Sequence, residues 1–599
     1  MLLSDVIWWL NYMKLSAVKN LLNKRWVELL VFSIFLVINA SFLFKYEYIH
    51  SLDGPQHIYN ATVIAELIKG NDAFSEFFKI NPVIVGYWTG PFLLSLLNLI
   101  FKASVAIKLL LVICIAGVAY SFRYLVYSIH KRTTYLSLLI IPFTTHIFLM
   151  MGYYTFSLAW IFFFLTMAYY IRNSEKLGIK QIAVLMLFFT ALYLSHLIVF
   201  SFTLLCLGLY VVLCYVKSAL NKEKNSLKKH LIIASKLLAA ALPAIILAII
   251  YSTHVFYVNQ GVSSGGLPGD ELAKNLFIVR NLMTFNYEHE LVLGRVVFFT
   301  LLSLVLYIVA AEIVSAVKHY RNAKTVKLFT DSSHIWFFLT LTTIAIYVFL
   351  PNGFGTGAVS NRVLVLLYFL LIVWISSQKI HALLTIAVFG VFLYVGIERH
   401  KIINSHLSFL NSDVKEIMEV ASHMEPNKVY YAMNYSDYYN HTHMACYAGA
   451  DNPVVYVKNP QCEGHFPVIW NKKRLPRVCL GSKPLAKAKS LSDIPDSTQL
   501  LKLADYVLVW GNYAFMWDTI STKKTIDRYY IQVAVSSKGN AALYKFRFPE
   551  MLDKGFKNMK ESPQWMANLK EKASIWGIPV ENVMYLDAFY MIDGYIDQY

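Results

Sequence analysis

The chain has 599 residues, of which 57% are hydrophobic, 15% aromatic and only 15% charged, against roughly 25% charged in soluble globular proteins. With a mean hydropathy of +0.50, this excludes an ordinary soluble enzyme and predicts a polytopic membrane protein. The formal net charge of +18 is explained by Lys and Arg kept on the cytoplasmic side of such a protein, so no nucleic-acid partner is expected.

After a basic segment read as a cytoplasmic N-terminus, 1–26, the first apolar stretch runs over 27–45. It is too long and too far from the start for a cleaved signal peptide, and no small-residue cleavage site follows. Ten further stretches long enough to span, or nearly so, lie at 105–126, 135–151, 156–171, 181–196, 198–216, 231–251, 293–316, 334–350, 362–377 and 380–397. Basic residues mark alternate connections: Lys14, Lys19, Lys24 and Arg25; Lys131 and Arg132; Arg172, Lys176 and Lys180; Lys217, Lys222, Lys224, Lys228 and Lys229; Lys318, Arg321, Lys324 and Lys327. By the positive-inside rule these are cytoplasmic. The N-terminus is then inside and everything after 398 outside. The apolar run Pro91–Phe101 is about half the length needed and reads as a helix along the outer face.

From 398 onward short β-rich runs, Lys428–Tyr431, Val454–Val457, Tyr506–Trp510, Tyr530–Val535 and Ala541–Phe546, alternate with helical or turn-rich segments. Two helices are predicted near 562–575 and 580–595, split by Gly577 and Pro579. The fold class is therefore a polytopic α-helical membrane protein of about eleven transmembrane helices, 27–397 with an outer loop at 46–104, carrying a C-terminal extracytoplasmic α/β domain at 398–599.

Cys114, Cys206 and Cys214 lie inside spans and read as small buried residues. Cys446, Cys462 and Cys479 lie in the outer domain, where an oxidising compartment permits one disulfide. The set His441, His443, Cys446, Cys462 and His465 offers imidazole and thiolate ligands of the kind zinc prefers, although its spacing matches no zinc module.

The most informative polar residues follow the first span: Ser51-Leu52-Asp53-Gly54-Pro55-Gln56-His57-Ile58-Tyr59-Asn60-Ala61. Gly54 with Pro55 predicts a helix start and Gly70 its stop. Asp53 then stands just ahead of the helix, with His57 and Asn60 three apart on one face, so an acid, an imidazole and an amide converge. The plainer reading is an Asp cap on an interfacial helix with a surface histidine.

This layout resembles the GT-C superfamily of membrane glycosyltransferases, which includes oligosaccharyltransferases, protein O-mannosyltransferases and the aminoarabinose transferases of lipid A. In that superfamily the first span leads into a long outer loop with an acidic residue soon after the membrane, many spans follow, and a soluble outer domain often ends the chain. Asp53 occupies the position of the acid, and the run Asn81–Pro91 looks like the aromatic, Pro-bearing segment before the second span. The resemblance implies transfer of a sugar from a polyprenyl-phosphate or polyprenyl-diphosphate carrier to a lipid, glycan or protein acceptor at the outer face.

Under that reading Asp53 and His57 are the catalytic candidates, because a carboxylate can act as base on an acceptor hydroxyl or hold a metal. Arg362, at the outer mouth of the tenth span after the Gly-rich loop Pro351–Ser360, suits the donor's phosphate. Gln56, Asn60, Tyr153, His196 and Glu288 complete the substrate-binding set, with His146 a further pocket candidate. Metal-dependent members carry a second acid in the next outer loop. Here Gly152-Tyr153-Tyr154-Thr155 has none, and Glu288, His289 and Glu290 are the substitutes at hand. No cofactor is certain; a divalent metal is the candidate. The alternative function is a non-enzymatic lipid-binding or assembly subunit of an envelope complex on the same scaffold. The expected location is a bacterial inner membrane, with membrane lipids as partners, the N-terminus cytoplasmic and the C-terminal domain periplasmic.

Overall fold

A computed structural model describes residues 24–131, 134–258, 267–321, 332–350, 358–464, 466–481, 499–513 and 521–598. Eight of its helices are long and apolar enough to cross a membrane: Arg25–Phe44, Ala103–His130, Tyr154–Asn173, Leu197–Leu220, Ser226–Thr253, Tyr287–Val317, Val359–Ser376 and Ala382–Ala421. Three shorter apolar helices, Tyr135–Met150, Ile179–Ser195 and Ile335–Phe349, account for the other predicted stretches. The protein is an integral membrane protein, because only helices satisfy every backbone group within such apolar runs.

The chain forms two compact units, Met1–Tyr46 with Leu111–His406, and Glu47–Leu110 with Leu407–Tyr599. The sequence grouped the 46–104 loop with the spans; in the structure its residues share a unit with the C-terminal region. The reason is pairing: strand β1 (Phe78–Ile80) lies antiparallel to β4 (Val468–Trp470), and the rings of Phe78 and Trp470 stack at 5.0 Å.

Within the first unit the Val359–Ser376 helix is the core element, buried along almost its whole length. Trp160 and Phe164 meet its Phe369 with ring centroids 5.0 and 5.4 Å away. Peripheral helices are apolar on both sides but buried on one: in Arg25–Ala40, Phe32 and Leu36 are buried while Leu30, Ile34 and Val37 are exposed, as lipid-facing residues are. Buried Glu28 accepts from the Arg123 guanidinium and, at 3.3 Å, from Ser137 Oγ. The third predicted span differs from a regular α-helix. Tyr135–Thr145 is a 3-10 helix containing Pro142, and His146 breaks it before a last turn, Ile147–Met150. Proline removes a backbone donor and clashes with the preceding turn, which disfavours an α-helix there. Buried Arg399 ties this segment down, donating to Pro142 O at 2.7 Å and Thr145 O at 3.0 Å, and also to Leu282 O at 3.1 Å.

The last helix runs on past the apolar stretch predicted as the eleventh span. The sequence ended the eleventh span at 397, yet Ala382–Ala421 continues for 40 residues, about 60 Å. The charges from Glu398 to Lys401 mark the end of the apolar run and do not stop the helix, since that stretch contains neither Gly nor Pro.

The second unit is built on a five-stranded sheet in the order β3-β2-β7-β9-β8. β3 (Val455–Tyr456), β2 (Val429–Tyr435) and β7 (Tyr506–Gly511) are parallel; β9 (Ala541–Phe546) and β8 (Tyr530–Val535) continue it antiparallel. These are the five runs the sequence marked as β-rich. β2 and β7 are buried almost throughout, matching their continuous apolar sequence. A further small pair joins β5 (Arg477–Cys479) to β6 (Leu501–Leu503). The two predicted C-terminal helices are Pro563–Trp576 and Val580–Gln598, preceded by an unpredicted one, Pro549–Glu561. The aromatic-rich last helix packs on its own unit through Phe589, 5.5 Å from the Tyr529 ring and 6.1 Å from Phe546.

Candidate functional site

The helix after Asp53 begins and ends where Gly54-Pro55 and Gly70 predict, spanning Gly54–Ile68. Residues Gly54 through Glu66 are all buried. The helix runs beside the 3-10 turn Met444–Gly449 in register. Tyr59 hydroxyl donates to Val454 O at 3.1 Å and accepts from Tyr456 N at 2.6 Å, while Thr62 Oγ1 donates to Ala450 O at 2.7 Å. At the head of this pairing His443, the residue before the turn, meets Asp53.

Asp53 holds the N-cap position, yet its side chain caps nothing. Only its carbonyl serves the helix, accepting from Gln56 N and His57 N. The carboxylate is 22% exposed and stands 3.7 Å from His443 Nε2, beyond hydrogen-bonding length. Burial pushes Asp53 up to about 6. Burial, and then His443, push His57 down to about 4, and burial does the same to His443. At neutral pH a single carboxylate therefore faces two uncharged imidazoles. A base with a pKa just below ambient pH is present in its working form and still holds a proton well.

Around this group Phe466 sits edge-on to His57 at 6.3 Å and against Tyr87 at 5.7 Å. The Gln56 side chain is buried, and its Nε2 has no hydrogen-bond partner among the described residues. A buried amide N–H without an acceptor costs about 1–3 kcal/mol, which a bound hydroxyl or phosphate oxygen would relieve. Asn60 is differently placed: its amide donates to Gln461 Oε1 at 2.7 Å and its oxygen accepts from Asn459 Nδ2 at 2.6 Å. That engagement fixes the 459–461 turn.

The remaining candidates gather in the other unit. Arg362, in the first turn of Val359–Ser376, is buried with its guanidinium carbon 5.7 Å from the Phe148 and Tyr153 ring centroids and 5.9 Å from Phe156. His196, an extended residue between the Ile179–Ser195 and Leu197–Leu220 helices, places its ring edge-on to Phe156 at 5.1 Å. Arg362 and His196 thus meet at the Phe156 ring, and Tyr153, stacked on Phe148, lies beside Arg362. His146 accepts from Leu149 N and caps the Ile147–Met150 turn. Glu288 is exposed. Its neighbour Glu290 is buried and accepts from the backbone N–H groups of Thr284, Phe285 and Asn286, closing the turn at the helix start.

Among the described residues no three His, Cys, Asp or Glu side chains come together to hold a metal. His441 has its Nδ1 2.7 Å from Ser436 Oγ, while its Nε2 stands 3.0 Å from an Asp413 carboxylate oxygen without hydrogen-bond geometry. Cys446 and Cys462 are buried, and burial raises both thiols, holding them protonated. His465 lies outside the described residues. All six cysteines are free thiols, so the expected disulfide is not formed. Lys458 escaped sequence reasoning: burial lowers it to about 8, and its Nζ lies 4.0 Å from the Tyr431 ring. Nothing in the sequence around Lys458 marks it, and His443, which the sequence offered only as a zinc ligand, is not marked as a neighbour of Asp53, because the packing involved joins segments far apart in the chain.

No family model matches this chain, and no curated protein matches it. Among solved structures it is similar to the GT-C aminoarabinose transferase ArnT from Cupriavidus metallidurans bound to undecaprenyl phosphate, with 11% identity, 88% of this chain and 98% of that chain covered, and a TM-score of 0.45. It is also similar to ArnT from the same organism in the apo state, with 13% identity, coverage of 87% and 97%, and a TM-score of 0.35. With both scores under 0.5, the likeness carries no argument of its own.

Proposed function

We propose that this protein is a membrane glycosyltransferase of the GT-C kind, moving a sugar from a polyprenyl-phosphate or polyprenyl-diphosphate carrier to an acceptor hydroxyl on the outer face of a bacterial inner membrane. The observation that carries the reading is Asp53, a carboxylate at the head of a buried helix that caps nothing and is held near pKa 6 beside two neutral histidines. In the proposed step a carboxylate oxygen of Asp53 takes the proton of the acceptor's hydroxyl as the acceptor's own hydroxyl oxygen attacks the sugar's anomeric carbon. The bond from that carbon to the carrier's phosphate oxygen breaks, and the electron pair leaves with the polyprenyl phosphate or diphosphate. Arg362, cradled by three rings, is the proposed partner of the donor's phosphate. Gln56 offers its unpartnered N–H to a substrate oxygen, and His57 and His443 keep the base's surroundings uncharged and apolar. The orientation follows the basic loops: N-terminus in the cytoplasm, C-terminal region in the periplasm.

The test is Asp53→Asn, which keeps shape and removes basicity. Transfer should fall on the order of 10²-fold or more, with the protein still folded in the membrane. An envelope glycan profile altered by deleting the gene and unchanged in Asp53→Asn would overturn the transferase reading in favour of a non-enzymatic assembly subunit.

A further inference from the structure

A second polar feature lies in the membrane unit, where the turn after Tyr154–Asn173 meets the turn before Ser226–Val258. Between them is a cleft of about 360 Å³. Four lysines, Lys224, Lys228, Lys229 and Lys236, line it against one carboxylate, Glu175. The long helix supplies most of the lining at helical spacing: Lys228, Ile232 and Lys236 fall four apart, with Lys229 and Ile233 beside them. Its wall is therefore an ammonium, an isoleucine and a second ammonium on one stripe.

Basic loops at a membrane surface ordinarily spread their charges into water. Two observations set this cleft apart. Lys236 lies inside the apolar segment Ser226–Thr253, ten residues beyond its start, where a cation is costly and so functional by default. Its amine is fixed at the cleft, donating to Leu177 O at 2.6 Å, which leaves two ammonium N–H donors for a ligand. Apolar surface also borders the cations: Ile232 is 46% exposed, and Ile233 and Leu177 line the cleft with it. A soluble anion has no use for an exposed isoleucine beside its cations, whereas a lipid places a phosphate and an acyl chain at that separation.

We propose that this cleft is a binding site for the phosphodiester headgroup of an anionic phospholipid, with Lys228, Lys229 and Lys236 on the phosphate and Ile232 along the first carbons of a chain. The site is independent of the transferase chemistry at Asp53.

The test uses the full chain, purified in neutral detergent and delipidated, then titrated with phosphatidylglycerol or phosphatidylcholine while bound lipid is counted by native mass spectrometry. Phosphatidylglycerol should be retained and phosphatidylcholine not. The pair Lys228→Gln/Lys236→Gln should weaken phosphatidylglycerol on the order of tenfold or more, and Lys228→Arg/Lys236→Arg should bind as the native chain does. Equal retention of both lipids, or unchanged binding in the Gln pair, overturns the proposal. Displacement of the lipid by free glycerol phosphate at comparable concentration also overturns it, by assigning the cleft to a soluble anion. If the Gln pair fails to fold, a photoreactive phosphatidylglycerol on the native protein decides: labelled peptides within 174–182 and 224–236 support the site, and labelling elsewhere alone overturns it.

Discussion

Asp53 is the residue on which the chemistry turns, and its environment sets a pH dependence whose sign can be worked out. Burial raises its pKa from 3.8 to about 6, so a base at this position is disabled by protonation as pH falls below that value. kcat/KM should rise tenfold per pH unit up to about 6 and then level. His57 and His443, both held near 4, should add no step between 6 and 8; a histidine-like inflection near 7 would contradict this assignment. Stability follows the same group in the opposite direction. Between 3.8 and about 6 the folded state holds the proton more tightly than the unfolded chain, so Asp53 costs stability increasingly as pH rises through that window. Asp53→Asn should therefore melt no lower than the native protein at pH 7 and gain on the order of 3 kcal/mol, with the difference vanishing below pH 3.8. His57 acts conversely: its folded pKa is lowered from 6.5 to about 4, so stability is lost as pH falls through that interval. Arg362 is expected to fail differently. Arg362→Lys keeps a charge but loses the flat cation that stacks on Phe148, Tyr153 and Phe156, so the donor's KM should rise several-fold with kcat little changed; a collapse of kcat at constant KM would count against a binding role.

Among the elements, the Gly54–Ile68 helix and the Met444–Gly449 turn together place the site, and their contact is tight at one glycine. A Cβ at Gly449 would lie 2.5 Å from Tyr59 Cε2 and 2.8 Å from Cδ2. The Tyr59 ring cannot swing aside, because its hydroxyl is bonded to both Val454 O and Tyr456 N. Gly449→Ala should therefore destabilise the protein by about 1–3 kcal/mol and lower kcat/KM as His443 shifts from Asp53; an unchanged melting temperature would show that the contact yields. The helix itself was legible because Gly54, Pro55 and Gly70 are local signals for its ends. The five sheet strands were legible as apolar β-branched and aromatic runs. β1 and β4 were not: three residues each, they form only because Phe78 finds Trp470 nearly four hundred residues away. The same distance hides His443 as the neighbour of Asp53. It also hides the use of Asn60, whose partners Asn459 and Gln461 no helical spacing could supply.

For the whole molecule, the number of membrane crossings decides which side the C-terminal region faces, and the structure makes the question one of parity. Among the described residues eight helices are long enough to cross; if only these did, both ends of the chain would share one side. Counting the three shorter helices as well gives eleven and puts the ends on opposite sides. Ile179–Ser195 and Ile335–Phe349 have 17 and 15 residues, about 26 and 23 Å against a hydrocarbon core of ~30 Å. A mismatch of a few Å is met by local thinning at modest cost. The segment Tyr135–Met150 is compensated by its own geometry, since a 3-10 helix rises about 2.0 Å per residue, and its 11 residues from Tyr135 to Thr145 cover about 22 Å before the last turn begins. The positive-inside rule favours eleven, because of the two counts only eleven keeps every lysine-rich connection on the N-terminal side. Cysteine labelling separates the two cases on intact cells. Lys228→Cys lies after six crossings in one count and four in the other, so an impermeant thiol reagent should leave it unmodified either way. Lys560→Cys, on an exposed position of the Pro549–Glu561 helix, lies after eleven or after eight. Modification of Lys560→Cys with protection of Lys228→Cys is the expected result. Protection of both would mean that the short helices do not cross, and would put the C-terminal region on the side opposite Asp53, which follows the first crossing in either count, against the pairing of β1 with β4.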